Sequence, residues 1–251
     1  MIFSSSLKRI FKKLPVILFW LLIWEAANII IESNIIIVSP RSTFTRLFAL
    51  GQTLSFWHSI GASLERIMFG FALALCIGVI LATISAKSKV FYNLILPAIN
   101  VMNAIPIASF TLIALMAVRS QNLSVFVAFV TVLPIIFHNT FKGIESTDHQ
   151  LLEMADIFNV PYWKKVVYIY LKTVSPYVLS AASVGIGFAW KSGIAAELIG
   201  VVQGTIGAEL HTARLFLLTA DLFAWTIAIV LLSYAMERIF KLIFGRIMKG
   251  L

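Results

Sequence analysis

At 251 residues, 60% hydrophobic and 12% charged, with a mean hydropathy of +0.96, the chain lies far from soluble domains, which run near half apolar and a quarter charged. This composition implies an all-α integral membrane protein, a single domain over residues 1–251, in contact with lipid. The net charge of +9 would suit nucleic acid, but the basic residues flank apolar segments, so membrane topology explains them and no nucleic-acid partner is expected.

Residues 1 to 13 carry Lys8, Arg9, Lys12 and Lys13 ahead of an apolar run from about Leu14 to Ile31. That run is longer than a signal-peptide core, and Glu25 and Glu32 stand where a cleavage site would need small residues, so it reads as a first transmembrane helix. Ser39-Pro40-Arg41 reads as a turn, followed by a short surface helix from Thr43 to about Gly51. A second span is expected from about Leu64 to Ile84, ended by Ala86-Lys87-Ser88-Lys89. A third, from Leu94 to Val118, contains Pro97 and Pro106 and is expected to be kinked or broken. A fourth runs from Leu123 to Phe141 around Pro134.

Residues 143–172 form the longest mixed polar interval. Thr147 with Gln150 reads as a capping box, opening a helix to about Phe158. Asn159 suits the left-handed residue that closes such a helix, and Pro161 the first position of the next. The second arm carries Trp163, Lys164, Lys165 and Lys172 and runs without a loop into a fifth span, Thr173 to Trp190, where Gly185 and Gly187 would allow close helix approach. Ile194 to Val202 is too short to cross and contains Glu197, so a re-entrant or interfacial hairpin turning at Gly204 to Gly207 is expected. A sixth span, Leu215 to Met236, precedes a basic amphipathic tail.

Six spans put both termini on one side. Lys8, Arg9, Lys12, Lys13, Lys87, Lys89, Lys142, Lys164, Lys165, Lys172, Arg238, Lys241, Arg246 and Lys249 share that side, leaving Arg41, Arg46, Arg66, Arg119, Lys191 and Arg214 for the other. Both termini and the 143–172 loop are therefore expected in the cytoplasm of a bacterial plasma membrane protein. The single cysteine, Cys76, permits no intrachain disulfide and reads as a small core residue.

The loop resembles that of the inner-membrane permease subunits of ATP-binding-cassette (ABC) importers, which carry Glu-Ala-Ala, a glycine four residues after the second alanine, and later Leu-Pro. Here the pattern reads Glu153-Met154-Ala155, then Asn159, then Leu171-Lys172. Met154, Asn159 and Lys172 depart from it, and Asn is the mildest replacement where a left-handed residue is needed. Ser63-Leu64-Glu65-Arg66, Gly70-Phe71, Pro97, Ile105-Pro106, Pro134 and Ala196-Glu197-Leu198 extend the resemblance over residues 38 to 237, closest to the nitrate, sulfonate and taurine group. It implies a type I importer permease fold with cytoplasmic coupling helices, working as a homodimer with separate ABC ATPase subunits and an extracellular or periplasmic solute-binding protein.

No phosphate-cradling glycine-lysine loop is present in the sequence, so ATP and Mg would sit on the partner ATPase, with no cofactor, metal or catalytic residue in this chain. Glu153 is the candidate polar anchor of the loop, bonding neighbouring backbone or a groove on the motor, with Ala155, Asn159, Pro161, Trp163 and Lys164 around it. Trp163 and the lysines suit either the motor or the lipid interface. Ionisable groups at membrane depth cost about 2.5 to 3.5 kcal/mol each and need a reason. Glu25, Glu197 and Asp221 are such groups; each would line a solute path or pair with Arg66, Lys191 or Arg214. Asn100, Asn103 and Ser109 around Pro106, and His138 with Asn139, are further path candidates, although His138 by itself reads first as a satisfied core residue. A gradient-driven secondary transporter or channel without an ATPase is the alternative, and it predicts a loop with no partner.

Overall fold

The structure, a computed structural model, describes the backbone of residues 2–33 and 35–249 and the side chains of residues 15–33, 35–242 and 244. The side chains of Lys8, Arg9, Lys12, Lys13, Arg246 and Lys249, and with them most of the expected basic ends, lie outside the described residues. The described residues are helical, with no strand among them, and form two compact units: residues 1–57 with 209–230, and residues 58–208 with 231–251.

The first unit holds α1 (Ile2–Ile31), whose apolar stretch is Pro15–Ile31, and α2 (Pro40–Gly51). Ser39-Pro40-Arg41 is the start of α2 rather than a free turn: the Ser39 hydroxyl accepts from the Ser42 N–H at 3.2 Å, and Pro40 occupies the first turn, where its missing N–H costs nothing. Trp24 at the end of α1 donates its indole N–H to the Val38 carbonyl at 2.9 Å and stacks on Phe223 of α11 (Thr219–Lys249) at 5.5 Å. Thr219 bonds back to the Ile35 carbonyl at 2.7 Å, and Phe56 packs on Trp225. These contacts tie the segment between α1 and α2, and Phe56 beyond α2, to α11, while α1 leaves Leu22, Ile29 and Ile30 exposed.

In the second unit, α3 (Leu54–Lys87) begins well before Leu64, because the polar group Ser63, Glu65 and Arg66 is carried inside a helix rather than before one. The third span is broken at Ile105-Pro106 into α4 (Lys89–Ala104) and α5 (Ile107–Ala117), which meet at 110°. Pro106 breaks the helix; Pro97 sits inside α4 without ending it. Tyr92 of α4 stacks on Phe141 at the C-terminal end of α6 (Leu123–Glu145), and Phe110 of α5 on Phe126 at its N-terminal end. The bent pair therefore travels the length of α6, as a broken span does and a re-entrant loop does not. Cys76 is exposed on α3 and not a core residue.

The centre of this unit is the pairing of α6 with α9 (Leu171–Gly200). Gly185 makes it possible: a Cβ there would stand 3.0 Å from Cγ1 of Val132 and 3.5 Å from the Phe71 ring, whereas a Cβ on Gly187 would meet nothing within 4 Å. Only one of the two expected approach glycines is therefore used. The expected break after Trp190 is absent, and α9 runs on to Gly200 before Val201 turns left-handed at φ 45°. Glu197 does not end the helix because it is enclosed by protein instead of facing lipid, its Oε2 held by hydrogen bonds while its buried Oε1 has no partner among the described residues. The short α10 (Ile206–Leu215) follows, and α11 starts at Thr219 after the Phe216–Leu218 bend.

Among the described residues, four helices are long and apolar enough to cross a membrane, at Leu54–Lys87, Ser120–Glu145, Tyr162–Gly200 and Thr219–Leu242; the broken α4–α5 pair counts as a fifth span, and the first of the six expected spans is present as the shorter apolar helix Pro15–Ile31.

Candidate functional site

Between α6 and α9 lies the mixed polar interval, folded as helix, turn, helix. Its first arm, α7 (His149–Ile157), is capped by Asp148, whose carboxylate accepts from the Gln150 N–H at 2.8 Å. Thr147, expected as the cap, is buried with its hydroxyl unpartnered among the described residues; Asp is the stronger acceptor at the positive helix end and takes the place one residue later. Asn159 adopts φ 48°, and the Val160 N–H reaches the Ala155 carbonyl at 2.8 Å, which closes α7 as the sequence implies. Pro161 is the cap of α8 (Tyr162–Lys165) rather than its first helical residue. A single π turn, Val166–Tyr170, then joins α8 to α9, so 39 residues from Tyr162 to Gly200 run without a loop.

The two arms are tied by an ion pair between Lys165 and Asp156. Ala155 turns inward and is buried. Outward stand Leu151, Met154, Ile157, Phe158, Tyr162 and Trp163, with Ile157 and Phe158 about three-quarters exposed at 77% and 74%. Glu153 lies on this outer surface and, among the described residues, has no partner, so it does not bond neighbouring backbone. Lys164 rests over the Trp163 ring at 5.6 Å, and Lys87, at the end of α3, over the Tyr162 ring at 5.2 Å. The loop thus presents an apolar face with one free carboxylate, on a lever fixed to α9.

The path candidates do not converge. Asn103 and Pro106 line a cavity of about 500 Å³ together with Phe110, Thr131, Val184 and Phe188. Ser109 is exposed outside it. His138 is also exposed, flanked by the Phe137 ring at 5.5 Å, and is not the satisfied core residue its place in α6 suggests. Asp221 forms a two-pronged pair with Arg46 inside the first unit, the second bond being 2.9 Å, and not with Arg66, Lys191 or Arg214. This hydrogen-bonded carboxylate raises the pKa of Arg46 further.

Glu197 is fully enclosed. Its carboxylate accepts from the Ser63 hydroxyl at 2.7 Å and the Gly207 N–H at 3.4 Å, while the Ser63 oxygen accepts from the Ile206 N–H at 3.0 Å. Three segments, α3, α9 and the start of α10, are clamped at this point. Only glycine fits at 207, since a Cβ would collide with Cβ of Glu197 and the following peptide. Arg46 with Asp221, the Ser63–Glu197 clamp and the exposed Ile157-Phe158 pair escape a reading of the sequence, because each depends on residues brought together by packing or on which helix face is left uncovered.

Residues 74–249 match the family of binding-protein-dependent transport system inner membrane components. The chain belongs to that family. Among curated relatives it is 29% identical over 146 residues to the nitrate import permease protein NrtB of Synechococcus elongatus, covering 58% of this chain and 52% of that one. It is 20% identical over 220 residues to the taurine transport system permease protein TauC of Escherichia coli, covering 85% and 80%. The chain spans about half the length of the nitrate and bicarbonate permeases it matches. Its fold is also that of a chain in the crystal structure of a bacterial alginate ABC transporter, at TM-score 0.62 and 12% identity over 99% of this chain and 95% of the other, and of a chain of an amino acid ABC transporter at 0.60 and 16%, over 83% and 95%. The fold is thereby that of a type I importer permease.

Proposed function

We propose that this chain is the membrane-crossing subunit of an ATP-driven importer, two copies forming the path for a small solute. The observation that carries the reading is the loop: an apolar outer face with the unpaired Glu153, on a helix-turn-helix joined without slack to α9. In this reading Glu153, Ala155, Asn159, Pro161, Trp163 and Lys164 seat the loop on a separate ATPase that holds ATP and Mg, because the sequence lacks a phosphate cradle. Closure of two ATPases draws the two loops together, and the 39 continuous residues carry that movement into the spans. Asn103 and Pro106, at the α4–α5 break, are the residues best placed to meet solute, since broken backbone is stable at membrane depth only where it lines a cavity. Both termini and the loop face the cytoplasm, which the spread of basic residues favours. A binding protein outside the cell delivers the solute, and the names of the relatives favour a small anion or zwitterion such as nitrate, bicarbonate, taurine or an alkyl sulfonate.

Uptake of those four labelled solutes into cells with and without the gene tests this. An importer loses uptake when ATP is depleted and keeps it when an ionophore collapses the ion gradients. A gradient-driven transporter shows the reverse, and that result would refute the proposal.

A further inference from the structure

A groove of about 240 Å³ opens at the loop end of the second unit. Its walls are apolar: Val79 and Ala86 of α3, Ile144 of α6, and Leu171 and Val174 of α9. Two of its other residues, Val166 and Tyr170, belong to the π turn that joins the loop's second arm to α9, and Tyr162 closes it from α8. Among the described residues, one cation lines it, Lys87, exposed and held beside the Tyr162 ring, and no carboxylate does. Thr140, also in the wall, has a buried hydroxyl with no partner among the described residues.

The position of the groove decides its occupant. Lys87 ends the helix Leu54–Lys87, and Trp163, Lys164 and Lys165 stand at the start of the helical run Tyr162–Gly200; aromatic and basic residues at the ends of spans belong to the headgroup layer, which places the groove at that boundary. At that depth an apolar slot between helices is filled by an acyl chain, and a single lysine at its edge, without a competing acid, favours an anionic headgroup. We propose that the groove is a binding site for an anionic phospholipid, one acyl chain between α3 and α9 and its phosphate on Lys87. Because the π turn supplies part of the wall, the lipid braces the joint between the loop and α9. The site rests on the membrane reading and on neither the ATPase partner nor the direction of transport.

Native mass spectrometry of the full chain in mild detergent, with phosphatidylglycerol or phosphatidylcholine of identical acyl chains, tests it. The wild type is expected to retain phosphatidylglycerol about fivefold more than phosphatidylcholine, and Lys87→Gln to remove that preference while phosphatidylcholine retention stays unchanged. Val79→Trp, which fills the slot, lowers retention of both; Lys87→Gln alters an exposed side chain and carries the test should the tryptophan variant not fold. Equal retention of the two lipids by wild type would overturn the proposal, as would a preference that survives Lys87→Gln. Displacement of the lipid by soluble glycerol phosphate would also overturn it, in favour of a free-phosphate site. A chain that co-purifies with an ATPase yet shows no lipid preference refutes this site alone.

Discussion

The hydroxyl of Ser63 donates to the carboxylate of Glu197 at 2.7 Å across 134 residues of sequence, and both side chains are buried. The bond lets an acidic residue lie inside a membrane helix, because the carboxylate meets fixed donors where lipid offers none. Ser63→Ala would strip Glu197 of that donor and leave the Ile206 N–H unpartnered, at a cost of about 2 to 3 kcal/mol. Glu197→Gln, which keeps an acceptor oxygen, should cost less than Glu197→Ala. Thermal unfolding in detergent checks the order, and a Glu197→Ala protein as stable as wild type would show that the clamp holds nothing.

Gly185 and Gly187 are two residues apart in α9 but differ in surroundings, so they make a matched pair. Gly185→Ala pushes a methyl against Val132 and should destabilise by about 1 to 3 kcal/mol. Gly187→Ala adds its methyl to open space and should stabilise the helix by about 0.5 to 1 kcal/mol. Equal effects at the two sites would mean that α6 and α9 are not packed in this register.

The left-handed Asn159 sets a second contrast. Asn159→Gly should leave stability unchanged or improved, while Asn159→Val should cost about 1 to 2 kcal/mol, since a β-branched residue resists positive φ. The same unfolding assay reads it, and identical behaviour of the two variants would deny the left-handed turn.

Arg46 and Asp221 are partly exposed, at 45% and 15%, so their pairing is worth little despite its two-pronged geometry. A double-mutant cycle should give a coupling of about 0.2 to 1 kcal/mol. It should shrink as salt is raised. A coupling that grows with salt would contradict a direct ion pair.

How much of this was legible beforehand follows from where each signal resides. Asn159 and Pro106 act through their own backbone, so the turn that closes α7 and the break between α4 and α5 are readable locally. Glu197 misleads for the opposite reason: its charge reads as the end of a span until Ser63 and Gly207 are brought to it by packing. The cap slipped from Thr147 to Asp148 because both are good acceptors, and only the chain's path chooses between them. Asn103 and Pro106 share a cavity while Ser109 and His138 do not, because helix rotation, not spacing along the chain, decides which polar groups face inward.

The central claim is that the outer face of the loop seats an ATPase. Its most direct test is purification of the tagged protein from its native membrane in mild detergent, comparing wild type with Glu153→Arg and Ile157→Asp, both exposed changes that leave the core untouched. A nucleotide-binding subunit is expected with wild type and is expected to be lost or strongly reduced with either variant, while both variants elute as folded protein. Wild type purified without any ATPase, or an ATPase retained equally by both variants, would contradict the account.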